Sequence, residues 1–347
     1  MSTRTIDLRT DGVTLPPATM LEAMRAARLG DDNLRDDPTV HELERLSAEL
    51  TGQEAALFCP TGTMANLLGT RMHTKPGDGV VLPGEANMHR YGVIAWNSLQ
   101  PIIVDAENGY PAIRDLTRAI ERSRTSDIPP ALVVIEMPHN HAGGTVTTPD
   151  YLAEVSAVAH GHNLGFYMDG SRIFNAAVAT GRPVREFAGK PDMMMFCLSK
   201  GLSAPVGSML CGKRELIMRA TRIRFLMGGA MRQAGLLAAG GIYALQNLVD
   251  RLAEDHANAR LLARAAERWP GITLDHNVEI NIVYFEVEHT GLTAAQFCAR
   301  LAGHGVLADP VDVNRVRFVT HREITAADIQ TTISAIDGVL AAAGTSR

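Results

Sequence analysis

Short apolar runs alternate with longer helical segments along most of this chain, and that alternation limits its fold more than any other feature. The runs Ala55–Cys59, 131–135, 165–168, 193–198 and 207–211 are apolar at consecutive positions, not at every second one. Strands of that kind must be covered on both faces. Segments 149–159 and 174–179 lie between them and read as helices. The pattern predicts an α/β protein, a mainly parallel sheet with helices on both sides. Asp37-Pro38 supplies a capping acid and a first-turn proline, and Val40, Leu43, Leu46 and Leu50 follow at helical spacing.

Beyond a glycine-rich stretch at 227–241, one long helix is expected over 241–268, then strands at 281–288 and 316–320. The expected organisation is an N-terminal segment at 1–15, extended over 6–13, a large domain at 16–245 and a smaller α+β domain at 246–347. A length of 347 residues suits two units better than one, since single cores stop growing near ~250–300 residues.

Composition narrows the partner. A net charge of -5 argues against a general basic field for nucleic acid or anionic membranes, so a small molecule is expected. The four cysteines, Cys59, Cys197, Cys211 and Cys298, are scattered without CxxC pairing. Buried thiols in a reducing compartment follow, and no metal site is expected. The N-terminus is charged where a signal peptide would be apolar, and no apolar run of about eighteen residues occurs, so a cytoplasmic location is expected.

Three places carry chemistry. In Phe196-Cys197-Leu198-Ser199-Lys200-Gly201 a lysine ends an apolar strand before a glycine- and proline-containing loop. A poorly solvated amine there is a better nucleophile toward a carbonyl, although lysines at strand ends more often reach water. Asp169 ends the preceding strand and opens Asp169-Gly170-Ser171-Arg172. A carboxylate so placed holds a pyridinium nitrogen protonated; an ordinary turn or helix cap is the alternative. Asp and Lys together suit pyridoxal phosphate. Pro60-Thr61-Gly62-Thr63 joins a strand to a helix, and backbone N–H groups at Gly62 and Thr63 with the helix dipole make an anion site, or a plain cap.

With these residues in view, the chain resembles the threonine aldolases of the β-eliminating lyase family, fold-type I pyridoxal-phosphate enzymes. The likeness rests on Asp7-Leu8-Arg9-Thr10-Asp11, Asp36-Asp37-Pro38-Thr39-Val40, Thr61-Gly62-Thr63-Met64-Ala65-Asn66 and His139-Asn140 with Gly143-Gly144-Thr145. It continues through Asp169-Gly170-Ser171-Arg172-Ile173-Phe174-Asn175-Ala176, Ser199-Lys200-Gly201-Leu202, Ala204-Pro205-Val206-Gly207-Ser208 and Gly228-Gly229-Ala230-Met231-Arg232-Gln233.

The resemblance implies a large domain around a seven-stranded sheet and a smaller C-terminal domain. It implies that Lys200 carries pyridoxal 5'-phosphate, with Ser199 beside it, and that Asp169 holds the ring nitrogen. Gly62, Thr63 and Arg232 would hold the phosphate, Arg232 across a subunit interface. Thr10, Arg172 and Arg317 would hold the substrate carboxylate, for which an arginine fork is well shaped. His139 would take the proton of a substrate β-hydroxyl as the Cα–Cβ bond breaks, leaving glycine or another small amino acid and an aldehyde. Taken by itself, Arg317 reads as an outward strand residue and His139 as a solvated loop residue. A homodimer or homotetramer with shared active sites is implied.

The chain departs from the family pattern in places. Asn87 stands where the family has a histidine that stacks on the ring, with His89 two residues on. Leu34 replaces a tyrosine near the substrate, Phe225 a basic residue near the phosphate, and Ser171 and Ser203 smaller residues. A substrate other than threonine, or β-elimination, racemisation or transamination, is therefore the alternative. A non-catalytic binding module is a third reading, opposed by the presence of Lys200, Asp169 and Arg172.

Overall fold

In the computed structural model, which describes residues 4–274 and 276–344, a seven-stranded sheet forms the centre. Residues 1–3 of the expected N-terminal segment, and 275 and 345–347 of the expected C-terminal domain, lie outside the described residues. The strands are β2 Ala55–Cys59, β3 Gly79–Pro83, β4 Gln100–Val104, β5 Pro130–Glu136, β6 Gly165–Asp169, β7 Met193–Cys197 and β8 Ser208–Gly212; a short β1, Ile6–Asp7, lies outside this sheet. Their order is β2-β8-β7-β6-β5-β3-β4. Neighbours pair in parallel except at β8, which runs against both β2 and β7.

The period of two explains why whole strands are apolar. On β5, Val133 and Ile135 join one core while Leu132 and Val134 join the core on the opposite face. Phe166 and Met168 against Tyr167, and Met194 and Phe196 against Met193 and Met195, divide the same way. All eleven of these side chains, four on β5, three on β6 and four on β7, are fully buried. Each stabilises the fold by about 1.5–3 kcal/mol.

Asp37 caps the helix Pro38–Thr51 by accepting the N–H groups of Thr39 and Val40, both at 3.1 Å. The expected long helix at 241–268 is two helices, Gly235–Asn247 and Leu252–Ala265, the second followed by the short turn Ala266–Arg268. The Asn247 side chain bonds back to the Tyr243 carbonyl at 2.9 Å, competing with the helical ladder, and the chain turns so that Leu252 is fully buried.

A second sheet, antiparallel, is built from β9 Ile282–Glu286, β11 Asp309–Pro310 and β12 Arg315–Val319. It packs with the helices Leu252–Ala265, Ala294–Gly303 and Ala326–Ala342 around a separate core. Ile6 and Leu8 belong to that core. β1 pairs in parallel with β10, Val306–Leu307, and Val319 donates to the Leu8 carbonyl at 2.7 Å. The N-terminal segment thus crosses to the C-terminal unit before Thr10 and Asp11 reach the carboxyl ends of the central strands.

Candidate active site

Those carboxyl ends enclose a cavity of about 320 Å³. Of the residues expected from the sequence, Thr10, Gly62, Thr63, Asn87, Asp169, Arg172, Ser199, Lys200 and Arg317 line it. Lys200 follows β7 and Asp169 ends the adjacent β6, so the strand pairing itself brings the amine and the acid to one space.

Asp169 is fully buried and held from two sides. Its Oδ1 accepts the Ser171 N–H at 3.1 Å, and its Oδ2 accepts from Asn66 Nδ2 at 2.8 Å. The Tyr167 hydroxyl donates to Asn66 Oδ1 at 2.8 Å, fixing which way that amide points. Asp169 caps nothing, since the helix Ile173–Thr180 starts after Arg172 with no side-chain cap.

The helix Gly62–His73 opens at the cavity. Thr61 caps it by accepting the Met64 N–H at 3.1 Å, which leaves the amides of Gly62 and Thr63 at the positive end of the dipole. A Cβ on Gly62 would lie 2.9 Å from Cys197 Sγ and 3.0 Å from Met195 Cε, so only glycine allows this close approach of helix to sheet.

Arg172 is buried and lies edge-on to Asp11, with Nε to Oδ2 and Nη2 to Oδ1 both at 2.8 Å. Its Nη1 donates to Asn140 Oδ1 at 3.1 Å. Burial alone would raise the Asp11 pKa, but the guanidinium overrides it and holds the carboxyl well below the ordinary range. Arg172 reciprocally stays charged, and these bonds leave donors of its guanidinium over. Arg317 lines the same cavity and donates to Asp309 at 2.7 Å.

Other expected residues lie elsewhere. His139 is fully buried, contrary to a solvated loop residue, and lines a neighbouring chamber with His141, His276 and Gly109. Gly109, at φ +86°, leaves room for the imidazole, since a Cβ there would lie 2.3 Å from His139 Cγ. Burial pushes the His139 pKa down to about 4, so the ring is neutral near pH 7. Its Nδ1 accepts the Ala142 N–H at 3.3 Å, which assigns the remaining ring hydrogen to Nε2. His89, on the helix Asn87–Arg90, is half-buried outside the cavity lining, and Leu34 is exposed. Arg232 is exposed and paired with Asp31 at 2.6 Å.

The structure adds Asp11, Asn66, Tyr91, Glu136, Asn140 and Cys197 to the lining or its supports. Glu136 ends β5 as Asp169 ends β6, a repeated strand-end acid that the sequence displays directly. Among the described residues no cluster of three or more His, Cys, Asp and Glu is placed to hold a metal ion.

The cavity therefore joins a primary amine, an anchored buried carboxylate, an anion-binding helix start and two arginines. Comparison with known proteins agrees with that constellation. Residues 7–289 match the family model described as β-eliminating lyase, and the chain belongs to that family. It is 39% identical over 326 residues to the low specificity L-threonine aldolase of Escherichia coli strain K12, covering 92% of this chain and 95% of that one. It is 36% identical over 343 residues to low-specificity L-threonine aldolase 1 of Arabidopsis thaliana, covering 96% of each. Its fold superposes on the threonine aldolase of Leishmania major with a TM-score of 0.83 at 19% identity, covering 96% of this chain and 99% of that one.

Proposed function

We propose that this protein is a pyridoxal 5'-phosphate-dependent aldehyde-lyase that cleaves L-β-hydroxy-α-amino acids, such as threonine, allo-threonine or phenylserine, to glycine and an aldehyde. The observation that carries the reading is the sharing of one cavity by Lys200 and Asp169. When bound, the cofactor supplies an electron sink for the bond-breaking step. Lys200 would hold it covalently and Asp169 would keep its ring nitrogen protonated. Gly62 and Thr63 would hold its phosphate, with Asn87 and Ser199 bordering it.

Thr10, Arg172 and Arg317 orient the substrate carboxylate. His139, acting through a water or after release of Ala142, serves the β-hydroxyl, with Leu34 and His89 at the outer edge of the substrate region. The proposed division is an N-terminal segment at 1–15, a cofactor domain at 16–245 and a small domain at 246–347, the second joint falling within the last turn of the helix Gly235–Asn247. A homodimer or homotetramer is proposed, Arg232 reaching the phosphate of a second copy; exposed Phe225 and Leu226 support such an interface. Among the described residues no helix is long and apolar enough to cross a membrane. Four buried, unpaired cysteines support a cytoplasmic setting.

The test is incubation of the holoenzyme with those three amino acids and trapping of the aldehyde. No aldehyde from any of them overturns the reading. The placement of His139 outside the cavity favours a second reading, racemisation, β-elimination or transamination by the same cofactor. Loss of optical activity without aldehyde, or release of a keto acid, selects it.

A further inference from the structure

Glu136 and Asp169 stand opposite each other in register at the ends of adjacent parallel strands, 1% and 0% exposed, and both line the cavity. Glu136 Oε2 accepts the Asn87 N–H at 2.6 Å, and Oε1 accepts the Asn140 N–H at 3.0 Å. One carboxyl thereby ties two walls together: the start of the helix Asn87–Arg90 and the turn Asn140–Ala142. Asn140 also receives Arg172, so the tie extends to the guanidinium. The proposed lyase chemistry leaves Glu136 without a role.

Two buried carboxyls on adjacent strands repel when both are charged. Burial first, and then the Asp169 charge, push the Glu136 pKa up to about 8, against the backbone bonds from Asn87 and Asn140 and the Lys200 charge. The Glu136 charge also reaches Tyr110, and Arg172, Asp11 and Arg317 complete the charged groups around the cavity.

Building on the reading that a pyridinium ring binds at Asp169, we infer that Glu136 is a positioning residue that keeps its proton until that ring arrives and then releases it. Positive charge beside Asp169 cancels the repulsion that holds Glu136 neutral. The O–H bond breaks, the proton goes to solvent and the electron pair stays on the carboxylate. A carboxylate accepts N–H groups more strongly than a neutral acid, so the two bonds that already hold the walls strengthen as the ring loads.

Calorimetric titration of pyridoxal phosphate into Lys200→Ala, in two buffers of different ionisation enthalpy at pH 7, counts the protons without imine formation. Close to one proton per site is expected to be released. Lys200→Ala/Glu136→Gln should bind the cofactor with that proton lost from the count. A merely structural role would change affinity and leave the count alone, and equal counts overturn the inference. Infrared difference spectra of the wild type give a second check that needs no Glu136 variant: a protonated-carboxyl carbonyl band should vanish on loading, and its persistence overturns the inference. If the wild type with cofactor develops no visible, borohydride-sensitive band, the cofactor reading fails instead.

Discussion

Arg172 lies edge-on to Asp11, two bonds of 2.8 Å joining a guanidinium and a carboxylate that are both withdrawn from water. Asp11 arrives from the N-terminal segment and Arg172 from the end of β6, so the pair fixes two distant segments at the cavity floor. Removing one member of such a pair leaves the other charge buried alone. Asp11→Asn should destabilise the fold by about 3–5 kcal/mol, read from chemical denaturation. A loss below about 1 kcal/mol, the value of an exposed pair, would show that solvent reaches the site.

Gly62 tests the anion cradle. A methyl group in Gly62→Ala meets Cys197 and Met195 and must displace the helix start from the sheet. A stability loss of about 1–3 kcal/mol is expected from overpacking. Cofactor affinity, followed by visible absorbance, should fall at least tenfold. Unchanged affinity would place the phosphate elsewhere.

Arg317 tests the carboxylate site. It lines the cavity without contacting any residue assigned to the ring, so Arg317→Ala should leave the cofactor spectrum intact. KM should rise by about 10- to 100-fold, the value of one lost charged hydrogen bond. A changed spectrum with an unchanged KM would reassign the residue.

Buried imidazoles set the acid limb of stability. Burial lowers the pKa of His73, His139 and His256 to about 4 and of His141 to about 3, against an ordinary value near 6.5. A group with a depressed folded pKa is protonated first in the unfolded chain, so its stabilisation is full above about 6.5 and falls as pH drops toward 4. Asp255, raised to about 6 by burial, Glu136, raised to about 8, and Glu279, also raised by burial, work in the opposite direction, three groups against the four imidazoles, so the slope is partly offset. Tm should therefore fall between pH 6.5 and 4, and His73→Gln, remote from the cavity, should flatten that slope. A flat Tm across the interval would contradict neutral burial of these rings.

Five of the seven central strands were legible because strands buried on both faces are apolar at nearly every position, whereas the edge strand Gln100–Val104 is mostly exposed and carries no such run. Lys200, Asp169 and the Gly62 turn were legible only together, since each alone reads equally as a solvated amine, a turn acid or a plain helix cap. The sequence did not display the break after Asn247, because no proline or glycine marks it and its local sign is only a side-chain bond back to Tyr243. Nor did it display the displacement of His139 into the adjoining chamber, which depends on the space that Gly109 leaves. Glu136 was visible as a strand-end acid, yet its link to Asn87 requires a register between distant segments that no local pattern encodes.

The pairing of β1 with β10 has a consequence for biosynthesis. The residues that bring Thr10 and Asp11 to the cavity leave the ribosome about three hundred residues ahead of their hydrogen-bonding partner. Domains otherwise fold as they are made. Here the cavity stays unfinished until Val306 and Leu307 have been made, so a nascent chain stalled before Val306 would present an assembled sheet whose Thr10 and Asp11 are not yet anchored beside it.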